Sequence, residues 1–209
     1  MKTVILCGGQ GTRIRDVADD LPKPMIPIGE KPILWHIMKH YASCGFKDFV
    51  LCLGYRGQVI KNFFINYDML THDFALTLGK PDSLEIKNRP THEDWHVTLA
   101  ETGLAAMTGD RVRAIRKYVG DDETFMLTYG DGLSDIDIDA LVAFHRKHGK
   151  VATVTGVRPP GRFGELETDS DGKVIEFNEK PQATGGRISG GFFVFDRKIF
   201  DYLPDDEGL

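Results

Sequence analysis

Val4-Ile5-Leu6-Cys7-Gly8-Gly9-Gln10-Gly11-Thr12-Arg13, followed shortly by Pro22-Lys23-Pro24-Met25, is the stretch that decides this chain. Four apolar residues in a row read as a buried strand, and the glycines at 8, 9 and 11 read as a loop that needs bare backbone. Glycine lacks a Cβ, so its amides approach a ligand closely, and successive N–H groups form a concave anion site. Arg13 adds a planar fork of donors and Lys23 a mobile point charge. Together these residues predict a cradle for a nucleoside triphosphate. Neither common nucleotide fingerprint fits. A P-loop needs Gly-Lys-Ser/Thr, which the chain lacks, and Ile14 stands where the pattern opened by Gly9-Gln10-Gly11 needs a third glycine.

Composition bounds the rest. A length of 209 residues suits one domain over 1–209, and 41% hydrophobic with 27% charged residues is an ordinary soluble globular mixture. The net charge of −5 argues against general binding to nucleic acid or a membrane surface, so any phosphate affinity is local. No apolar run approaches a membrane span, and the first residues show no signal-peptide pattern. Cys7, Cys44 and Cys52 are odd in number, sit in apolar contexts and form no Cys-x-x-Cys, as expected of reduced core thiols in a cytoplasmic protein.

Strand-like and helix-like runs alternate along the first 157 residues. Strands are predicted at Thr3–Cys7, Phe49–Leu53, Trp95–Leu99, Phe125–Thr128 and Val151–Val157. A helix opens near Pro32, with Leu34, Ile37, Met38 and Tyr41 on one face and Gly45 as its stop. Another covers Val59–Phe64, and a third starts with Thr108 as N-cap and turns Val112, Ile115 and Val119 inward. A fourth carries Leu141, Val142 and His145 on one face and ends at Gly149. Such β-α alternation predicts a parallel sheet covered on both faces. Beyond Pro159, short runs at Gly164–Thr168, Val174–Asn178 and Gly191–Phe195 suit an antiparallel addition to that sheet.

Ligands of such sheets bind beyond the C-terminal strand ends. Asp131 follows the apolar strand Phe125–Thr128 and reads either as a Mg²⁺ ligand beside a triphosphate or as the cap of an Asp-Gly turn. Asp135, Asp137 and Asp139 miss the calcium-loop pattern, since Ala140 and Arg146 occupy its glycine and glutamate positions, and read as an acidic helix start. Asp135-x-Asp137 also keeps a metal-using glycosyltransferase open. His36 and His40 lie one helical turn apart, as zinc ligands do, but Ile37 stands where the zincin glutamate belongs, so they read as hydrogen-bonding residues beside the core. Arg111 lies in a helical first turn, where an anion is favoured. Lys180 sits at a strand end before Pro181, and Ser189-Gly190-Gly191 offers backbone that a ligand can approach.

Gly8–Arg13, Pro22–Met25 and Gly29-Glu30-Lys31-Pro32 together resemble the signature of sugar-1-phosphate nucleotidyltransferases. Lys31–Lys39, Val97-Thr98-Leu99, Thr102-Gly103, Met107-Thr108-Gly109, Thr128–Gly132, Pro159–Gly164 and Gly190–Val194 extend the likeness over nearly the whole chain. It implies an α/β, Rossmann-like nucleotidyltransferase fold: a mostly parallel central sheet flanked by helices, with a small antiparallel addition. It implies in-line attack of α-D-glucose 1-phosphate on the α-phosphate of CTP, with Mg²⁺ as cofactor. The same chemistry with UTP or dTTP, or a non-catalytic nucleotide-binding subunit, stays open. Carried over by residue, it implies that Leu6, Gly8, Gly9, Gly11, Thr12, Arg13, Lys23, Gly103 and Arg111 bind the nucleotide, with Arg13 and Lys23 catalytic. Asp131 would hold Mg²⁺, and Lys180, Gly190 and Gly191 the sugar phosphate. A homo-oligomer is implied too. Two departures stand out. Ser189 replaces the family's asparagine before Gly190-Gly191, and the family pattern continues past Leu209 to a second metal-binding aspartate in a Met-Asp-Thr context, so 1–209 is expected to lack the family's C-terminal segment.

Overall fold

Alternate residues of a strand face opposite sides of a sheet, and in the first strand both sides are apolar. Ile5 packs with Phe49, Leu51 and Met126, while Val4 packs with Val50, Phe125 and Leu127, so two separate cores form on the two faces. The structure, a computed structural model, describes residues 1–9, 21–88, 93–158, 165–178 and 186–203.

Strand β1 (Thr3–Leu6) precedes a two-residue ladder of β2 (Pro27–Ile28) and β3 (Lys31–Pro32), helix α1 (Ile33–Ser43) and β4 (Asp48–Leu53). Helices α2 (Gly57–Ile65) and α3 (Tyr67–Thr71) follow, then a second small ladder of β5 (Phe74–Ala75) and β6 (Glu85–Ile86), and β7 (His96–Glu101). Helices α4 (Thr108–Ala114) and α5 (Arg116–Val119), β8 (Thr124–Tyr129), α6 (Ile138–His148) and β9 (Ala152–Val157) come next. The described chain closes with β10 (Glu165–Thr168), β11 (Val174–Asn178), β12 (Ile188–Asp196) and the 3₁₀ turn Arg197–Tyr202.

The main sheet runs β7-β4-β1-β8-β12-β9. Its first four strands are parallel, and β12 is antiparallel to both of its neighbours. Helix α1 buries Leu34, Ile37, Met38 and Tyr41, the face expected from their spacing, and Gly149 ends α6 in the left-handed conformation. No helix among the described residues is long and apolar enough to cross a membrane.

Three expectations need correcting. First, of the three short runs expected to add antiparallel to the main sheet, only the last does so. β12 lies inside the sheet because Phe192 and Val194 feed one core while Phe193 and Phe195 pack against the other. By contrast β10 and β11 form their own ladder, with Leu166, Val174, Ile175 and Phe177 exposed. Second, Thr108 is the first residue of α4 rather than its cap. The cap position belongs to Met107, whose N–H donates to the Asp110 carboxylate at 3.2 Å. Third, β7 runs on to Glu101, because its parallel register with β4 continues through Leu53, and this carries Thr102 and Gly103 to the C-terminal edge.

Candidate active site

From β1 the chain steps outward to β4 and β7, then returns to place β8 on the other side of β1. A crevice opens beyond the C-terminal strand ends at such a reversal. A cavity of about 480 Å³ lies there, lined by Leu6, Cys7, Gly8 and Gly9 after β1 and by Tyr129 and Asp131 at the end of β8. Lys23, Pro24, Arg111 and the segment 104–108 complete its lining.

Lys23 is held by its neighbours. Pro22 and Pro24 restrict the backbone on both sides, and a tight turn forms as Met25 N–H donates to Pro22 O at 2.8 Å and Ile26 N–H to Lys23 O at 3.1 Å. Pro24 and Met25 are buried, so the turn is anchored while the lysine projects. Its Nζ stands 3.8 Å from Asp131 Oδ2. Asp131 is placed by Gly130, whose N–H donates to Leu6 O at 3.0 Å. A Cβ on Gly130 would lie 2.9 Å from Pro24 Cγ and 3.1 Å from both Cys7 Sγ and Leu6 O, so only glycine lets the two strand ends close up.

Arg111 departs from expectation. Its guanidinium is not an open cation in a helical first turn; the residue is 5% exposed and its donors turn to the protein. Nη1 donates to Leu53 O at 3.0 Å, Thr102 Oγ1 at 2.7 Å and Gly103 O at 2.9 Å, and Nη2 donates to Gly8 O at 3.0 Å. The side chain fills the space that Cβ atoms on Gly8 and Gly54 would need. Arg111 thus ties the end of β1 to the ends of β4 and β7, and borders the cavity as part of its frame. Gly103 likewise turns its carbonyl to Arg111, with φ +100, and the adjacent cavity wall is made by Leu104, Ala105 and Ala106.

Gly190 and Gly191 differ as well. A Cβ on Gly190 would meet Thr155 Oγ1 at 2.8 Å and Val157 Cγ1 at 2.9 Å, and one on Gly191 would meet the Tyr129 ring at 3.1 Å. These glycines admit the protein's own side chains at a bulge in β12, rather than leaving backbone open to a ligand. Through Tyr129 they still abut the cavity lining. Gly11, Thr12, Arg13 and Lys180 lie outside the described residues.

The other candidates have local duties. Asp137 accepts from Ala140 N at 2.8 Å and caps α6. His36 Nε2 pairs with Ile28 O and His40 Nε2 with Ile136 O, each at 2.9 Å, so the two rings serve different backbone segments. Burial pushes the Cys7 thiol well above its ordinary range and Cys52 up to about 12. Both are therefore thiols at neutral pH and poor nucleophiles. Among the described residues no three His, Cys, Asp or Glu side chains gather as a metal site. Asp131 nonetheless fits Mg²⁺, which takes one or two carboxylates and fills its shell with phosphate oxygens and water. Thr102 and the apolar wall at 104–107 were not singled out as chemistry from the sequence; their signal is position, directly after a parallel strand.

The profile of the nucleotidyl transferase family matches residues 2–208. The chain belongs to the nucleotidyl transferase family. This nucleotidyl transferase is 48% identical over 206 residues to the glucose-1-phosphate cytidylyltransferase of Salmonella typhi, covering 99% of this chain and 79% of that protein. It is 46% identical to the probable glucose-1-phosphate cytidylyltransferase of Bacillus subtilis (strain 168), with the same coverage. Its fold is similar to that of HddC from Yersinia pseudotuberculosis complexed with GMP-PN, with a TM-score of 0.66, 25% identity, and 99% and 81% of the two chains covered.

Proposed function

We propose that this nucleotidyl transferase joins CTP and α-D-glucose 1-phosphate to give CDP-glucose and pyrophosphate. The observation that carries the proposal is the 48% identity over 99% of the chain to the Salmonella typhi glucose-1-phosphate cytidylyltransferase. The paired Lys23 and Asp131 at the strand reversal support the reaction class.

A phosphate oxygen of the sugar substrate attacks the α-phosphorus of CTP, and the bond to the bridging oxygen of pyrophosphate breaks in line with it. That oxygen is already anionic, so no protein nucleophile is needed. The chain's task is to align two anions and stabilise charge that develops in the transition state. Gly9 would offer bare backbone to the phosphates beside Gly8, and Gly11, Thr12 and Arg13 would supply further phosphate contacts. Lys23 supplies a compact cation at the reacting phosphates. Asp131, with phosphate oxygens and water, would hold Mg²⁺, which when bound neutralises phosphate charge. Lys180 would meet the sugar phosphate, and Gly190-Gly191 would shape its pocket through Tyr129.

The buried Cys7 and Cys52, with no disulfide among the cysteines, support a reducing, cytoplasmic setting. Exposed Ile65, Leu70 and Leu78 support association into a homo-oligomer. Radiolabelled pyrophosphate exchange, run with α-D-glucose 1-phosphate present against a panel of nucleoside triphosphates, tests the assignment. CTP is expected to exchange fastest, and a preference for UTP or dTTP would reassign the base.

A further inference from the structure

We propose that Thr102 is a positioning residue for the nucleotide cradle, acting through Arg111 on the carbonyl of Gly8. The proposal rests on the nucleotide-binding reading of the cavity and adds to it a residue that never touches the substrate.

A threonine hydroxyl carries one proton and two lone pairs. Thr102 is 9% exposed, and its Oγ1 donates that proton to Leu53 O at 2.7 Å. With the proton so placed, a lone pair is left for Arg111, whose Nη1 donates to it at 2.7 Å. The Thr102 backbone N–H also donates to Leu53 O, at 3.2 Å, which fixes the residue against the end of β4. Arg111 Nη2 then donates to Gly8 O at 3.0 Å, and Tyr55 N–H donates to the same oxygen at 3.2 Å. Turning the Gly8 carbonyl inward onto Arg111 points the Gly9 N–H of the same planar peptide the opposite way, toward the cavity that Gly8 and Gly9 line. The path therefore runs from the end of β7 to the first residue of the loop after β1, through one buried guanidinium.

The guanidinium has little freedom to compensate. Its Nη1 and Nη2 lie 2.7 and 2.9 Å from the position a Cβ on Gly54 would take, so the backbone already encloses it. Replacing the hydroxyl by a methyl removes the shortest of the three contacts around Nη1 and puts an apolar group against a buried charge, so the guanidinium settles toward Leu53 O and Gly103 O. A shift of the guanidinium then relaxes the Gly8 carbonyl.

Thr102→Val and Thr102→Ser test this by calorimetric titration with CTP and by steady-state rates. Wild-type protein is titrated first with CTP, UTP, dTTP, GTP and ATP. If it binds none, the nucleotide reading fails and the proposal with it. If it binds one, T102V is expected to bind that nucleotide about tenfold more weakly, in line with one lost hydrogen bond to a charged group. Its KM for the nucleotide should rise while the KM for the sugar phosphate holds, and T102S, which keeps the hydroxyl, should restore both. A T102V protein that is folded by circular dichroism and binds as wild type overturns the proposal alone. So does a T102S protein as impaired as T102V, which would make methyl packing the cause. Should T102V not fold, Thr102→Ala is read in the same assays with the same expected loss.

Discussion

Lys23 Nζ and Asp131 Oδ2 stand 3.8 Å apart although 108 residues separate them in sequence, and each lines the same cavity. The lysine is carried by a proline-locked turn and the aspartate by a glycine that lets β8 close on β1. Both side chains keep contact with solvent, so the pair adds little to stability, roughly 0–1 kcal/mol. A role in the proposed chemistry is therefore separable from a role in folding.

Lys23→Ala should therefore separate the two properties. Turnover is expected to fall by about 10²–10³, the usual loss when one positioned charge donor is removed. Thermal unfolding should be nearly unchanged. Pyrophosphate release and a melting curve on the same preparation check both halves.

Asp131→Asn keeps the shape and removes the charge. The rate should then respond only weakly to added Mg²⁺, and chelation of divalent ions should abolish wild-type turnover. A Mg²⁺ titration of the rate, wild type against variant, reads this directly.

Gly130→Ala is expected to destabilise the fold by about 1–3 kcal/mol, the range for overpacking. Its Cβ meets Pro24, Cys7 and the Leu6 carbonyl, none of which can swing away. Gly132→Ala is the control, because a Cβ there meets nothing within 4 Å. Denaturant unfolding of the two variants should differ in midpoint accordingly.

His145 supplies a pH dependence away from the cavity. Lys150 N–H donates to His148 Nδ1 at 2.9 Å, so His148 carries its proton on Nε2, which lies 2.7 Å from Thr153 Oγ1. The Thr153 hydroxyl then donates to His145 Nδ1 at 2.8 Å and keeps that ring neutral. Burial lowers the His145 pKa, the nearby His148 lowers it further, and Asp196 opposes them. A depressed folded pKa means that the unfolded chain binds more protons, so stability is full above about 6.5 and is lost as pH falls toward the folded value. Melting temperature should drop between pH 7 and pH 5.5, and His145→Gln should flatten that slope.

The sequence made the scaffold readable wherever one segment carried its own pattern. Leu34, Ile37, Met38 and Tyr41 are spaced for one helical face and are buried on it, and Val4-Ile5-Leu6-Cys7 is apolar on both faces and central in the sheet. Phe192-Phe193-Val194-Phe195 carries the same two-faced signal and lies antiparallel in the sheet, whereas nothing in the runs at 165–168 and 174–178 announced that they would pair with each other apart from it. The Lys23 and Asp131 cluster was legible because each follows a strong local signal, Pro-x-Pro and strand-Gly-Asp. The role of Arg111 was not, because its acceptors are carbonyls of residues 8, 53 and 103 and a hydroxyl at 102, and no local pattern announces which backbone oxygens will converge on one side chain. Gly190 and Gly191 show a related limit. A glycine marks close approach without saying whether a ligand or the protein itself approaches.

The most direct test is product formation by this chain with Mg²⁺, α-D-glucose 1-phosphate and each nucleoside triphosphate in turn, resolved by chromatography. CDP-glucose and pyrophosphate should appear in equal amounts, with kcat/KM for CTP at least about tenfold above UTP and dTTP. Binding of CTP without any sugar nucleotide, or a clear preference for another triphosphate, would contradict the account.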